Sequence, residues 1–389
     1  MTLDLLTVGP QVGRMGRALA ERAGRYPARL ARAREVLLER AADWQALGAV
    51  AAESKRRLAT PLERFDARHA LPRLPRDHRV IATDGSQIEP DRHGMADYYL
   101  LNVGWAAIAY GSRPSAELAS EPRLYFEPDE LFIVEGDRRV PVQDQHLSAK
   151  RSGEELRKAA TLAAERVEDD LPTVVLADGT LLLWVLEDRP GDFLRLALLR
   201  PYIEALDEIR ALGAPLASYV SRPRYAEVSG LLREATCRGD VRQCPPCASA
   251  GDDGCALDGL PDRELFRDLR PGERSARFSV TLSGSLLDYY RGHVPQFFYL
   301  DVGSELARVE LPPWTGDDPE RLALVHAVVF DQCRRGLGYP VVLARAHEQA
   351  LVSMGDRLTF QYLLDGVLAR QGVTARLSEK QISKNRRAV

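Results

Sequence analysis

Two short apolar runs end on the same dipeptide, Val80-Ile81-Ala82-Thr83-Asp84-Gly85-Ser86 and Thr173-Val174-Val175-Leu176-Ala177-Asp178-Gly179-Thr180. Short β-branched runs read as buried strands, and a carboxylate just past a strand end, before a glycine turn, stands at the rim of a sheet where sites form. Two such rims on adjacent strands bring Asp84 and Asp178 within reach of one metal site. Hard divalent cations such as Mg²⁺ and Mn²⁺ take oxygen ligands, and two of them about 4 Å apart can hold the attacking and leaving oxygens of a phosphodiester. The chemistry this pattern points to is metal-dependent phosphodiester hydrolysis. Asp-Gly-Ser and Asp-Gly-Thr are also ordinary turn sequences that follow strands for conformational reasons alone. The phosphotransferase signature Asp-x-Asp-Gly-Thr does not apply, because Leu176 stands where its nucleophile would be.

A third carboxylate is expected from the helical segment ahead of the second strand, where Glu154, Glu155 and Glu165 are candidates. Glu155 is favoured, since it follows Arg151 by one turn near the helix start. His347 closes the set. A neutral imidazole beside carboxylates can ligate a borderline cation such as Mn²⁺ or orient water, and a buried core histidine is the competing reading. The neighbouring Glu348 points elsewhere on a helix. Separately, Cys237, Cys244, Cys247 and Cys255 occur as C-x6-C-x2-C-x7-C in a Gly/Pro-rich stretch, while Cys333 stands alone. Four thiolates so placed could hold structural Zn²⁺ or an iron–sulfur cluster, although the flanking spacings match no standard zinc module.

The elements that must position these residues follow from periodicity. A helix-like segment from Gln11 to Leu58 has imperfect heptads and reads as a broken arm or hairpin. Leu71-Pro72 and Leu74-Pro75 mark a boundary before the first strand. Tyr98 to Tyr110 is a second strand, with weaker candidates at Arg123 to Phe126 and Leu131 to Val134. Lys150 to Val167 turns helical before the 173–178 strand. A helix over Gly191 to Leu212 and a strand over Pro215 to Val220 come next. After the irregular Cys-rich stretch, strands return at Phe297 to Val302 and Ala307 to Leu311, and a helix runs from Pro319 to Arg335. Tyr339-Pro340-Val341-Val342-Leu343 reads as a last strand leading into Ala346-His347-Glu348, and a final helix runs from Asp356 to near Gly372. Strands, then a helix, then a strand with an acidic tip is the order of an RNase H-like core. The expected class is α/β, a mixed sheet flanked by helices. Residues 1–75 form an N-terminal helical arm and residues 76–389 the catalytic domain, with a Cys-rich insertion over residues 235–262.

Composition narrows the function classes. The 389 residues are 45% hydrophobic and 28% charged, enough for a substantial core. No window approaches the eighteen or so apolar residues of a membrane span, and the N-terminus lacks a secretory pattern, so a cytoplasmic protein is expected. The net charge of −3 is unevenly spread: residues 1 to 75 carry 14 Lys/Arg against 8 Asp/Glu, and Arg376 to Arg387 adds five basic residues against one Glu. Basic ends around an acidic middle suit a protein that grips phosphates while its own carboxylates hold cations. Neither a P-loop nor a strand-linked G-x-G-x-x-G is present, so any motor must be another protein.

Taken together, the residues resemble the NurA nuclease family from about Arg79 to Arg387. The likeness rests on Asp84-Gly85-Ser86-Gln87-Ile88, Arg151 to Leu156, Ala177-Asp178-Gly179, Tyr219-Val220-Ser221 and Gly272-Glu273-Arg274-Ser275. It continues through Arg308 to Pro312, Gly338-Tyr339-Pro340, Ala346-His347-Glu348 and the closing Ser378-x-Lys380-x-x-Ser383-Lys384. The resemblance implies an Mn²⁺- or Mg²⁺-dependent, RNase H-like 5′→3′ exonuclease with single-strand endonuclease activity. It also implies DNA end resection as a homodimer docked on a hexameric HerA-type ATPase. By position Asp84, Asp178 and His347 match the family's metal-site motifs, with Glu155 the fourth ligand and Tyr219 a further match. The cysteine insertion departs from the archaeal pattern. A catalytically silent DNA-binding or regulatory adaptor of the ATPase is the competing class, opposed by the ligand-competent residues at all three metal-site motifs.

Overall fold

A computed structural model describes residues 4–54, 56–90, 96–166, 171–186, 192–236, 255–282 and 284–372. The chain divides into two compact units. One comprises Met1–Leu71, Ser221–Ser283 and Gln296–Val309, and the other Pro72–Val220, Gly284–Pro295 and Glu310–Val389.

Besides the small hairpin of Phe132–Glu135 and Arg138–Pro141, the second unit carries the strands β1 (His78–Ile88), β2 (Tyr99–Tyr110), β3 (Ser115–Tyr125), β4 (Thr173–Asp178) and β5 (Leu216–Val220). These five lie in the order β5-β4-β1-β2-β3. The first three form an antiparallel meander, and β4 and β5 add in parallel on the other side of β1. Each parallel addition needs a crossover, supplied by α1 (Asp144–Ala164) and α2 (Asp192–Ala211). This is the expected RNase H-like mixed sheet. Val80, Ile81, Ala82, Val174, Val175, Leu176, Leu216 and Ala217 are fully buried at its centre, as strands covered on both faces require. On α1, Leu156, Ala159, Ala160 and Ala163 repeat at helical spacing and give that helix its buried face.

Two expected features differ in kind. β1 does not stop at Asp84 but runs on to Ile88, so Asp84-Gly85 lies within a strand; only Asp178 ends its strand, and Gly179 after it turns at φ +77°. The run after Tyr339 is a helix, α3 (Val341–Ala350), not a strand. Val342, Leu343, Ala346 and Ala350 are its buried residues, a 3.6-residue repeat that the adjacent valines obscure.

In the first unit the N-terminal helix is one continuous element, Leu5–Glu39, with Pro10 and Pro27 inside it, followed by Trp44–Glu53. It is less broken than expected. Ala33, Val36, Leu37, Leu47 and Ala51 are buried, whereas Leu5, Val12, Met15 and Leu19 are each more than half exposed. A second anchor is Asp262, which is fully buried and accepts the backbone N–H groups of Glu227, Val228 and Ser229 at the start of the Glu227–Thr236 helix. Of the cysteine cluster, Cys237, Cys244 and Cys247 lie outside the described residues, as does the closing basic motif; Cys255 is half-buried in this unit. Among the described residues no helix is long and apolar enough to cross a membrane.

Candidate active site

The site forms around the middle of β1. Strand alternation sends Thr83 and Gly85 to one face of the sheet and Asp84 and Ser86 to the other. On the first face is α1, where Thr83 Oγ1 donates to the Glu155 carbonyl at 2.9 Å. On the second is α3, whose last carbonyl, on Ala350, accepts from Ser86 Oγ and from Asn102 Nδ2. One residue of β1 facing α1 is glycine, and the space beside it is filled from the helix. A Cβ at Gly85 would lie 2.5 Å from Glu155 Oε1 and 2.7 Å from Arg151 Cγ, so Glu155 occupies space that only glycine leaves open. The glycine serves a close approach here and not a turn.

Asp178 reaches the same place along β4. Ala82 pairs with Leu176 as the last pair of the parallel register, and Asp84 and Asp178 each lie two residues beyond it, near enough for the Asp84 charge to act on Asp178. Adjacent strands are about 4.8 Å apart. On the other side Asp178 pairs with Tyr219, whose carbonyl accepts Gly179 N–H at 3.0 Å. His347, in the last turn of α3, places Nδ1 2.6 Å from Asp84 Oδ2, with its side chain about two-thirds exposed. Asp84, Glu155, Asp178 and His347 are therefore brought together from three strands or helices and one helix end. Glu154 and Glu165 are not: they pair with Arg157 and Arg166 on the surface of α1 and at its end. Tyr219 is fully buried behind the site, its ring edge-on to Tyr339 at 5.4 Å between centroids, so it supports the pocket wall.

Three supporting residues are not singled out by sequence spacing. Tyr339 lies close enough to Asp178 for its hydroxyl to favour the carboxylate. Glu310 is fully buried and accepts from Thr180 Oγ1 at 2.8 Å and Leu181 N–H at 2.9 Å, which fixes the turn after Asp178. Gly104 faces Asp84 across β1 and β2, and a side chain there would overlap the backbone of Gln349 and Ala350. The signal for Tyr339 and Glu310 was their place in the short motifs Gly338-Tyr339-Pro340 and Arg308 to Pro312; Gly104 depends on a contact far apart in the chain.

The electrostatics are those of crowded carboxylates. Burial pushes Glu155 up to about 7, with Asp84 and Asp178 adding to the rise against the opposing charge of Arg151. Asp178 sits at an exposed strand end, yet the atoms packed on its carboxyl and the charge of Asp84 raise it, against hydrogen bonds from Tyr339 and Gly179. Burial and the Asp178 charge raise Tyr339 in turn, keeping it a donor. Among the described residues no three His, Cys, Asp or Glu side chains converge as a ready-made metal site. Arg151 and His347 each lie against one carboxylate instead. Three carboxylates and an imidazole are nonetheless donor types that a hard divalent cation takes, and Glu155 Oε1 is buried and lacks any hydrogen-bond partner.

No curated protein matches the chain significantly. The family profile described as the NurA domain matches residues 78–352, from the first residue of β1 to two residues beyond α3. That span covers well over half of the chain and every strand and helix that brings Asp84, Glu155, Asp178, Tyr339 and His347 together. The chain belongs to the NurA family of nucleases.

Proposed function

We propose that this protein is a divalent-cation-dependent deoxyribonuclease whose centre is Asp84, Glu155, Asp178 and His347. The observation that supports the reading is the crowding of three carboxylates, in which the charges of Asp84 and Asp178 both raise Glu155, with Glu155 packed against Gly85 and His347 against Asp84. Asp84, Glu155 and Asp178 are the oxygen ligands that would hold Mn²⁺ or Mg²⁺, an ion that supplies positive charge at the scissile phosphate and acidifies water.

The chain's own groups do the rest. With Asp84 accepting from Nδ1–H of His347, the ring keeps the tautomer in which Nε2 is the acceptor, and that lone pair serves the ion or takes a proton from the attacking water. Tyr339 holds one orientation of Asp178, and the Glu310-capped turn holds the strand end. The α3 carbonyls capped by Asn102 and Ser86 keep His347 at a fixed height over β1.

For assembly we infer DNA, a second copy of this chain and a hexameric HerA-type ATPase as partners, in end resection, with 5′→3′ exonuclease and single-strand endonuclease activity. The exposed Leu5, Val12, Met15 and Leu19, with half-buried Val8 between them, recur at alternating three- and four-residue steps along the N-terminal helix. That seam suits a partner helix from a second copy. The test is cleavage of 5′- and 3′-labelled single- and double-stranded DNA by metal-stripped protein. Cleavage restored by Mn²⁺ or Mg²⁺, with the 5′ label released first, supports the reading; equal cleavage in chelator, or none with either ion, overturns it.

A further inference from the structure

Arg151 lies one turn before Glu155 on α1, and its Nε is 3.0 Å from Glu155 Oε1. The pair is coulombic and badly aligned: both atoms are buried, and neither has a hydrogen-bond partner. The same guanidinium donates from Nη1 to Gln87 Oε1 at 3.2 Å, two residues beyond Gly85 on β1. Its side chain is about one-third exposed, against one-fifth for Glu155. A second guanidinium, that of Arg357, donates to the Gln87 carbonyl at 2.7 Å. One cationic fork thus rests on an oxygen that a metal ion would need, hinged at a neutral amide near solvent, with another beside it.

A doubly charged ion bound at Glu155 Oε1 would stand only a few ångströms from this guanidinium, where like charges repel even with generous screening. We propose that Arg151 is the resting counter-ion of the centre, displaced from Glu155 when the divalent cation binds, and that the released guanidinium then holds a phosphate of the nucleic-acid substrate. Planar guanidinium forks match phosphate oxygens in pairs, and the Gln87 contact lets Arg151 turn outward without leaving the rim of the site. Arg357 provides the second positive charge there. The proposal rests on the metal-dependent reading of the centre.

Metal-stripped full-length protein is titrated with Mn²⁺ by calorimetry, as wild type, Arg151→Ala and Arg151→Lys. Removing the competing charge should tighten Mn²⁺ binding by roughly tenfold in Arg151→Ala, with Arg151→Lys close to wild type. A fluorescent single-stranded oligonucleotide is then bound in Ca²⁺ and followed by anisotropy. Arg151→Ala should bind it roughly tenfold more weakly, with a salt slope smaller by about one phosphate contact. Mn²⁺ affinity unchanged or weakened in Arg151→Ala would overturn the displacement and make Arg151 a support for Glu155. Oligonucleotide affinity and salt slope both unchanged would overturn the phosphate contact. A wild type that binds no Mn²⁺, or an Asp178→Asn variant that binds it as wild type does, overturns the reading of the centre itself.

Discussion

The carboxylate of Glu155 lies in the space that a side chain at Gly85 would fill, so α1 brings its acid against β1 only because this strand residue is glycine. Gly85→Ala should therefore displace Glu155 and Arg151, whose flexible ends can yield. The expected result is a loss of Mn²⁺ affinity and cleavage of at least about tenfold with a stability change within about 1 kcal/mol. Calorimetry and thermal melting of the same preparation check both halves, and unchanged metal affinity would contradict the role given to this glycine.

Gly104 is the opposite case. Its neighbours are the backbone atoms of Gln349 and Ala350, which cannot swing away. Gly104→Ala should lift the end of α3 from β2, part His347 from Asp84 and cost about 2–3 kcal/mol of stability. Urea melting gives the cost, and a variant as stable as wild type would show that α3 does not depend on this contact.

The pH dependence follows from Glu155, whose carboxyl is raised from 4.5 to about 7 in the folded, metal-free protein. The folded state then binds this proton more tightly than the unfolded one. Stability from this group is complete below pH 4.5 and is lost as pH rises through 7, by at most about 3 kcal/mol. Glu155→Gln should accordingly be more stable than wild type at pH 8 in chelator, equal to it near pH 4.5, and poor at cleavage. Urea midpoints at the two pH values decide it; a variant no more stable at pH 8 would contradict the crowding of the centre.

The core was legible from residue types because β1, β4 and β5 are continuous apolar runs and α1 has a clean helical repeat. Asp178 could be read for the same reason, since it ends its strand, whereas Asp84 and Glu155 lie inside β1 and α1 and were legible from residue type and neighbours alone. What sequence spacing hid is long-range. Gly85 reads as a turn glycine until α1 is packed on it, Gly104 reads as one small residue in an apolar strand, and the valines after Pro340 mimic a strand where α3 stands. The N-terminal helix also buries Ala33, Val36 and Leu37 within its own chain, through contacts that its imperfect heptads did not reveal.

The exposed part of that segment still calls for a partner. Replacing Val12, Met15 and Leu19 together by Ser should shift the protein toward monomer in analytical ultracentrifugation, with metal binding unaltered and melting changed little, because none of the three is buried in its own chain. A sedimentation coefficient identical to wild type across concentration would contradict dimerisation through this seam.

The central claim is that Asp84 and Asp178, neighbours across β1 and β4, act on one metal-bound phosphodiester. The most direct measurement is the single-turnover rate of end-labelled single-stranded DNA cleavage by purified, folded Asp178→Asn in saturating Mn²⁺. The account predicts a fall on the order of a thousandfold or more, since a neutral amide cannot balance the ion's charge. Cleavage by the variant near the wild-type rate would contradict it.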